Sequence, residues 1–239
     1  MPVFRNPFYD DQELSVLVVG VGGNGSKLAT GLKSLALALE ATKDQRLHVT
    51  LVDPDVVEES NLARQNYYPT DLGKPKAVVL AHRINLATGL QWKALPRELR
   101  PEDLRYGPDI VITATDNRKS RALVRDYLSP RQLWLDLGNE AQHGQVVLGG
   151  FGLPTSAELW PEVADTTLDG PDAPSCSVLE ALFQQDLYVN DVAAIFALNL
   201  LWQLLFRNEL TYHGVVFDLA RGEVSPIPVS GNEKERKAA

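Results

Sequence analysis

The chain has 239 residues, a formal net charge of −8 and a pI near 5.0; it is long enough for one large α/β core and too acidic to read as a general nucleic-acid binder. Its single cysteine, Cys176, excludes an intramolecular disulfide and an all-cysteine zinc site. Met1 to Gln12 is polar, with Pro2 and Pro7 in place of a basic-then-apolar leader, and the most apolar run, Ala193 to Phe206, is broken by Asn199 and Gln203; a soluble cytoplasmic protein with no membrane partner is expected.

Residues before Leu14 read as an arm or edge. Ser15 to Val19 (S-V-L-V-V) has the pattern of a buried strand. Gly20, Gly22 and Gly25 follow with the spacing G-x-G-x-x-G, Gly23 being an additional glycine. A helix is expected from Ser26 to about Glu40, with Leu28, Leu32, Leu35 and Leu39 on one face. Strand, glycine turn and helix together present backbone N–H groups to an anion, although NAD, FAD and ATP sites all share that arrangement. Leu47 to Val52 reads as the second strand, and Asp71 as the cap of a helix from about Lys74 to Ala87 that buries Ala77, Leu80, Ala81 and Ile84. Trp92 to Leu95 reads as a short strand, Pro101 to Leu104 as one helical turn, Asp109 to Ala114 as a buried strand, Asn117 to Leu128 as a helix and Leu133 to Leu137 as a strand. This alternation predicts a Rossmann-like α/β fold: a mostly parallel sheet with helices on both faces.

The rhythm changes after Gly138. His143 to Gly150 and Tyr212 to Asp218 read as strands of an antiparallel C-terminal extension, and Gly222 to Val229 as a hairpin partner that Pro226 and Pro228 confine to the edge. Residues 154–175, rich in Pro, Asp, Thr and Gly, read as a long loop or lid. Leu187 to Asn208 is the most apolar helix, with Trp202 in core or at a subunit interface, and the tail from Gly231 is charged and expected to fray. The four histidines show no metal-ligand spacing.

Ligands in open α/β sheets bind beyond the carboxyl ends of the strands. Asp53 ends the second strand, where nucleotide-binding folds place the acid that holds ribose hydroxyls. The stretch from Asp53 to Gln65, D-P-D-V-V-E-E-S-N-L-A-R-Q, and G-K-P-K-A at Gly73 to Ala77 go beyond what hydride transfer needs. An enzyme that cleaves ATP needs fixed cations on the phosphates, and Arg64 and Lys76 are the candidates.

Those runs, with G-V-G-G-N-G-S before them and T-A-T-D-N at Thr113 to Asn117 after them, resemble the ThiF/MoeB family, the adenylation domain shared with ubiquitin-activating enzymes. The resemblance spans about Leu14 to Phe206. The ending D-L-Y-V-N-D-V-A-A-I-F-A-L-N-L-L-W-Q-L-L, with Y-H-G after it, is also similar to the ThiF-like member of the PRTRC gene cassette. The resemblance implies one adenylation domain over 1–239, with an arm (1–13), a loop or lid (154–175) and a tail (231–239). It implies ATP and Mg²⁺ as cofactors. Gly22, Gly23, Asn24 and Gly25 would lie under the nucleotide, Asp53 on the ribose, Asp55, Asn61, Arg64, Gln65 and Lys76 around the triphosphate, and Asp116, with Asn117 beside it, on the magnesium. The implied reaction is attack of a small ubiquitin-like or sulfur-carrier protein's C-terminal carboxylate on the α-phosphate of ATP, giving an acyl-adenylate and pyrophosphate, by a homodimer with catalytic Arg64, Lys76 and Asp116.

The chain departs from the family's pattern in three places. The C-x-x-C pairs for zinc are missing, so no zinc is expected. The arm reads F-R-N-P-F-Y, with Arg5 off the spacing of the family arginine that reaches the partner subunit's nucleotide. Any thiol step would fall to Cys176. Two other readings stay open: a non-catalytic nucleotide-binding scaffold, and an NAD-dependent dehydrogenase.

Overall fold

A computed structural model describes residues 2–105, 107–168 and 186–230. Cys176 and the tail from 231 lie outside the described residues. The elements in chain order are β1 (Phe4–Arg5), β2 (Glu13–Val19), α1 (Gly23–Lys43), β3 (Arg46–Val52), α2 (Lys76–Thr88), β4 (Lys93–Leu95), α3 (Pro101–Arg105), β5 (Ile110–Thr113), α4 (Arg118–Tyr127), β6 (Leu133–Asn139), β7 (His143–Gly149), α5 (Ser156–Leu159), α6 (Val189–Leu205), β8 (Glu209–Leu210), β9 (Tyr212–Asp218) and β10 (Glu223–Pro228).

Eight strands form one sheet in the order β10-β9-β7-β6-β5-β2-β3-β4. Strands β2 to β6 run parallel, and β7, β9 and β10 add antiparallel neighbours. The Rossmann-like sheet with an antiparallel extension is therefore the observed fold, and β10 is its edge. The chain leaves β2 first toward β3 and β4, then returns to β5 on the other side. The carboxyl ends of β2 and β5 thus flank the switch point where α/β sheets open a crevice. In register, Val19 lies opposite both Val52 and Thr113, so Gly20, Asp53 and Ala114 emerge at one level.

Alternation along the buried strands sends side chains to two cores. Val16 and Val18 of β2 and Ile110 and Ile112 of β5 pack under α1, α2 and α6, while Leu17, Val19 and Val111 pack against α3, α4 and α5. The leucine stripe of α1 is buried as its spacing requires, and so are Ala77, Leu80, Ala81 and Ile84 of α2.

Three expectations change. Helix α2 begins at Lys76, because Pro75 disfavours helical angles at Lys74. Asp71 does not cap α2; its carboxylate accepts the Tyr68 N–H at 2.8 Å and pairs with Arg83. The first part of the 154–175 loop is not irregular: α5 and short turns at Pro161–Ala164 and Thr166–Leu168 pack on α4, whose Arg118 and Arg125 donate to the carbonyls of Glu162 and Ala164. The arm is docked. Strand β1 pairs with β8, and Arg5 pairs with Glu209 at 3.2 Å. Trp202 stacks on Phe206, centroids 4.0 Å apart. No described helix is long and apolar enough to cross a membrane.

Candidate functional site: a cleft at the switch point

A cleft of about 650 Å³ opens beyond the ends of β2, β5 and β6. One wall is the glycine loop with the segment that follows β3: Gly20, Gly22, Gly23, Asn24, Asp55, Arg64, Gln65 and Lys76. The facing wall carries Thr115, Asp116, Arg118, Arg121, Gly138, Asn139, Glu140, His143, Gln145, Trp160 and Asn190. Of the site residues expected from sequence, the structure brings Gly22, Gly23, Asn24, Asp55, Arg64, Gln65, Lys76 and Asp116 to this one cavity. Gly25, Asp53, Asn61 and Asn117 do not line it.

The glycine loop is shaped by close approach and by two side chains behind it. A Cβ on Gly25 would lie 1.9 Å from the Gly20 carbonyl oxygen, so nothing larger fits where the loop folds onto itself. Asp53, 4% exposed, accepts the Val21 N–H at 2.7 Å on one oxygen and the Asp55 N–H at 2.8 Å on the other. Burial pushes its pKa up, against the opposing pull of those two bonds and of Lys76. Tyr67 donates to the Val21 carbonyl at 2.7 Å. Because α1 starts at Gly23, its first N–H groups lack partners in the helix, and Gly22, Gly23 and Asn24 at this end line the cleft.

The segment between β3 and α2 is tied down by polar bonds. Asn61 Oδ1 accepts the Glu58 N–H at 2.9 Å, closing the turn that leads to Arg64. The Asn66 N–H donates to Ser26 Oγ at 3.0 Å, fixing Arg64 and Gln65 against the start of α1. Gln65 Oε1 is buried and accepts no hydrogen bond among the described residues. Lys76 is the first residue of α2 and 6% exposed, and its Nζ pairs with Asp55 Oδ2 at 3.0 Å. A buried cation at the positive end of a helix opposes both solvation and the helix dipole. It breaks a local rule in the manner of a functional residue.

On the facing wall Asp116 is exposed, just beyond β5. Asn117 caps α4, accepting the Ser120 N–H at 2.9 Å, and lines a separate recess of about 40 Å³ with Val19, Val52, Leu99 and Leu123. Gly20 and Thr115 border both cavities. Arg121 is fixed from behind: its Nε donates to Asp136 at 2.8 Å and its Nη2 to the Leu137 carbonyl at 2.8 Å. The Thr113 hydroxyl also donates to Asp136, and Trp134 Nε1 donates to Thr113 at 2.7 Å. Three amides cross the seam between the walls: Asn24 Nδ2 donates to Asn139 Oδ1 at 2.5 Å, and Asn139 Nδ2 to Asn190 Oδ1 at 3.3 Å. Beside this series, Lys27, one turn after Asn24 in α1, pairs with Asp191, which follows Asn190 in α6, at 3.1 Å.

Sequence reasoning missed Arg121, Asn139, Gln145 and Asn190. Asp136 was the available signal, since a carboxylate within a fully buried strand must be paired. No cluster of three or more His, Cys, Asp or Glu side chains suited to a metal occurs among the described residues.

The cleft thus combines a glycine loop, a partly buried cation pair and a carboxylate, and the sequence profile of the ThiF family matches residues 9–228. The chain belongs to the ThiF family. Over 117 residues it is 38% identical to mouse adenylyltransferase and sulfurtransferase MOCS3, covering 47% of this chain and 24% of that protein. Human ubiquitin-like modifier-activating enzyme 6 is 30% identical over 122 residues, covering 47% and 11%. The SAMP-activating enzyme E1 of Haloferax volcanii is 31% identical over 120 residues, covering 46% and 40%. Among solved structures, Escherichia coli MccB with ATP superposes with a TM-score of 0.64 at 16% identity, over 91% of this chain and 64% of MccB. PaaA gives 0.65 at 15%, over 92% and 65%. These two show the shared fold. The ThiF chain described here spans well under half the length of the curated relatives it matches.

Proposed function

We propose that this ThiF-family chain adenylates the C-terminal carboxylate of a small ubiquitin-like or sulfur-carrier protein at the expense of ATP. The observation that carries the proposal is the convergence of the glycine loop, Arg64, Gln65, Lys76 and Asp116 on one cleft at the sheet's switch point. The names of the relatives, an adenylyltransferase and two activating enzymes, agree with it.

In this reading the triphosphate lies against the N–H groups at the start of α1, with Arg64 and Lys76 on its oxygens. Asp53, buried behind the glycine loop, serves the nucleotide by holding the Val21 and Asp55 N–H groups rather than by lining the cleft. The base enters the recess of mixed polarity beyond Gly20 and Thr115, lined by Val19, Val52, Leu99 and Leu123 with Asn117 and Ser120, which must widen to admit it. Asp116, an exposed carboxylate lining the cleft, would hold a magnesium ion that comes with ATP, as oxygen ligands suit that ion. The bound ion would supply charge neutralisation at the phosphates.

The carrier's carboxylate oxygen attacks the α-phosphorus as the bond to the bridging oxygen breaks, and pyrophosphate leaves with that electron pair. No proton moves, because a carboxylate is already ionised at neutral pH; the chain's cations serve to let two anions meet. Arg64, Lys76 and Asp116 carry this step. Cys176, if it takes the acyl group, acts only afterwards. The active form is a homodimer, and light scattering that returns a monomer mass at micromolar concentration, with and without nucleotide, refutes that part.

Two measurements test the activity. ATP·Mg²⁺ is expected to raise the melting temperature and NAD to leave it unchanged. A shift with NAD alone overturns the reading in favour of a dehydrogenase. Pyrophosphate exchange that depends on a carrier ending in Gly-Gly supports adenylation, whereas ATP binding without exchange for any such carrier leaves a nucleotide-binding scaffold.

A further inference from the structure

We propose that Tyr67 is a positioning residue for the nucleotide's phosphates: by holding the Val21 carbonyl behind the glycine loop, it turns the Gly22 N–H into the cleft. The inference rests on the nucleotide reading above and adds to it a residue that never touches the ligand.

The argument is stereochemical. No peptide bond among the described residues is cis, and in a trans peptide the C=O and the following N–H point in opposite directions. The Val21 carbonyl accepts the Tyr67 hydroxyl at 2.7 Å, between two residues that are 0% and 2% exposed. The N–H of Gly22 therefore points the other way, and Gly22 lines the cleft. That N–H donates to no described group, and a Cβ on Gly22 would meet only Gln65 Nε2, at 3.8 Å. The same residue is held at its other end by Asp53, which accepts the Val21 N–H at 2.7 Å. Two side chains from the neighbouring segment thus clamp both backbone groups of one valine.

Such a clamp is needed because the loop has an easy alternative. Gly22, at φ −75° and ψ −133° just before α1, lacks the Cβ that would resist rotation of the Val21–Gly22 peptide. Without the tyrosine hydroxyl, the buried Val21 carbonyl loses its partner, and rotation becomes the route to a new one. That rotation carries the donor away from the phosphates. Burial, reinforced by the negative charge of Asp53, pushes the Tyr67 pKa up, so the hydroxyl keeps its proton at all working pH values.

The test is calorimetric titration of the full chain and of Tyr67→Phe with ATP·Mg²⁺, ADP and adenosine. The substitution removes one oxygen and leaves the ring in place. Affinity for ATP·Mg²⁺ and ADP is expected to fall about tenfold, the worth of one hydrogen bond to a charged group, with adenosine affinity unchanged. Equal loss for adenosine marks a general collapse of the pocket and overturns the inference, as does a variant that binds ATP like the parent chain. Should Tyr67→Phe not fold, the amide resonance of Gly22 in the unaltered chain decides: a shift with ADP but not with adenosine supports the inference, and no phosphate-dependent shift refutes it. Failure of the unaltered chain to bind any of the three ligands removes the nucleotide reading and the inference together. Normal binding with no effect of Tyr67 removes the inference alone.

Discussion

The two walls of the cleft are built on opposite plans. On the glycine-loop side, side chains hold backbone: Asp53 and Tyr67 grip Val21, Asn61 grips Glu58, and the surface left to a ligand is a row of N–H groups with Lys76 and Arg64 beside it. On the facing side and across the seam, side chains hold one another: Arg121 with Asp136, His143 with Glu140, and Asn24 with Asn139 and Asn190 in series. A wall of backbone donors suits a ligand whose chemistry never varies, such as a polyphosphate. A wall of side chains can be changed residue by residue, which would suit the protein substrate proposed above. The expected consequence is that damage to the first wall falls on every nucleotide alike, while damage to the second falls on the partner.

The largest effect is expected at Asp116, on the facing wall just beyond β5. Asp116→Ala should lower pyrophosphate exchange by on the order of a thousandfold, since under the proposed function it would remove a metal ligand where charge concentrates in the transition state. Adenosine affinity should persist in calorimetry, and Cys176→Ala should leave exchange nearly intact. The opposite pattern would reverse both assignments. Arg121→Met breaks the second wall from behind, leaving the fully buried Asp136 without its cation. A loss of about 3–5 kcal/mol in urea unfolding is expected, with any protein that remains folded still stabilised by ATP·Mg²⁺. A loss under 1 kcal/mol would show that the pair contributes little.

Lys76→Met sharpens the contrast, because its two effects differ in sign. Exchange is expected to fall about a hundredfold as one phosphate cation is removed. The melting temperature should hold or rise, because a desolvated charge at a helix N-terminus disappears while the solvent-facing Asp55 is not stranded. A marked drop in melting temperature would instead make Lys76 a structural residue. Asn139→Ala interrupts the amide series; the carrier's KM should rise about tenfold with the ATP KM unchanged, and the reverse split would reassign the seam to the nucleotide.

How much of this was legible follows from distance along the chain. The glycine loop, Arg64 and Lys76 fall in motifs because the groups that must meet are close in sequence: Val21 reaches Asp53 and Tyr67 across 32 and 46 residues, and Lys76 reaches Asp55 across 21. The amide series spans 115 and 51 residues and joins three elements that no local pattern relates. Strands and helices were readable from their apolar periods, since burial on both sheet faces leaves little choice of residue. Their ends were less so. The start of α2 was misjudged because Asp71 resembles a cap, while Pro75, through its restriction of Lys74, sets the boundary. Asp53 and Asn61 stood out by position, but which atoms they hold needed the fold.

The smallest expected effect lies away from the cleft. His213, in β9, is buried with Nδ1 2.8 Å from the Leu148 carbonyl oxygen, and burial lowers its pKa below the ordinary 6.5. The unfolded chain then binds a proton that the folded one refuses. Stability should be flat above pH ~7 and decline as pH falls below ~6.5 toward the folded pKa, by at most about 1.4 kcal/mol per pH unit. Urea unfolding of His213→Gln should lack this contribution; an unchanged slope would show that the imidazole titrates normally.

The pairing of β1 with β8 has a consequence for the order in which the molecule is made. Phe4 lies opposite Leu210, and the Asn6 N–H donates to the Asn208 side chain 202 residues away. The arm residues therefore find their partners only after β2 to β7 and α6 have been synthesised. The parallel strands need no such wait, because β2 to β6 are complete by Asn139. Vectorial folding of the early half should leave the arm loose until β8 emerges, and only then can it dock.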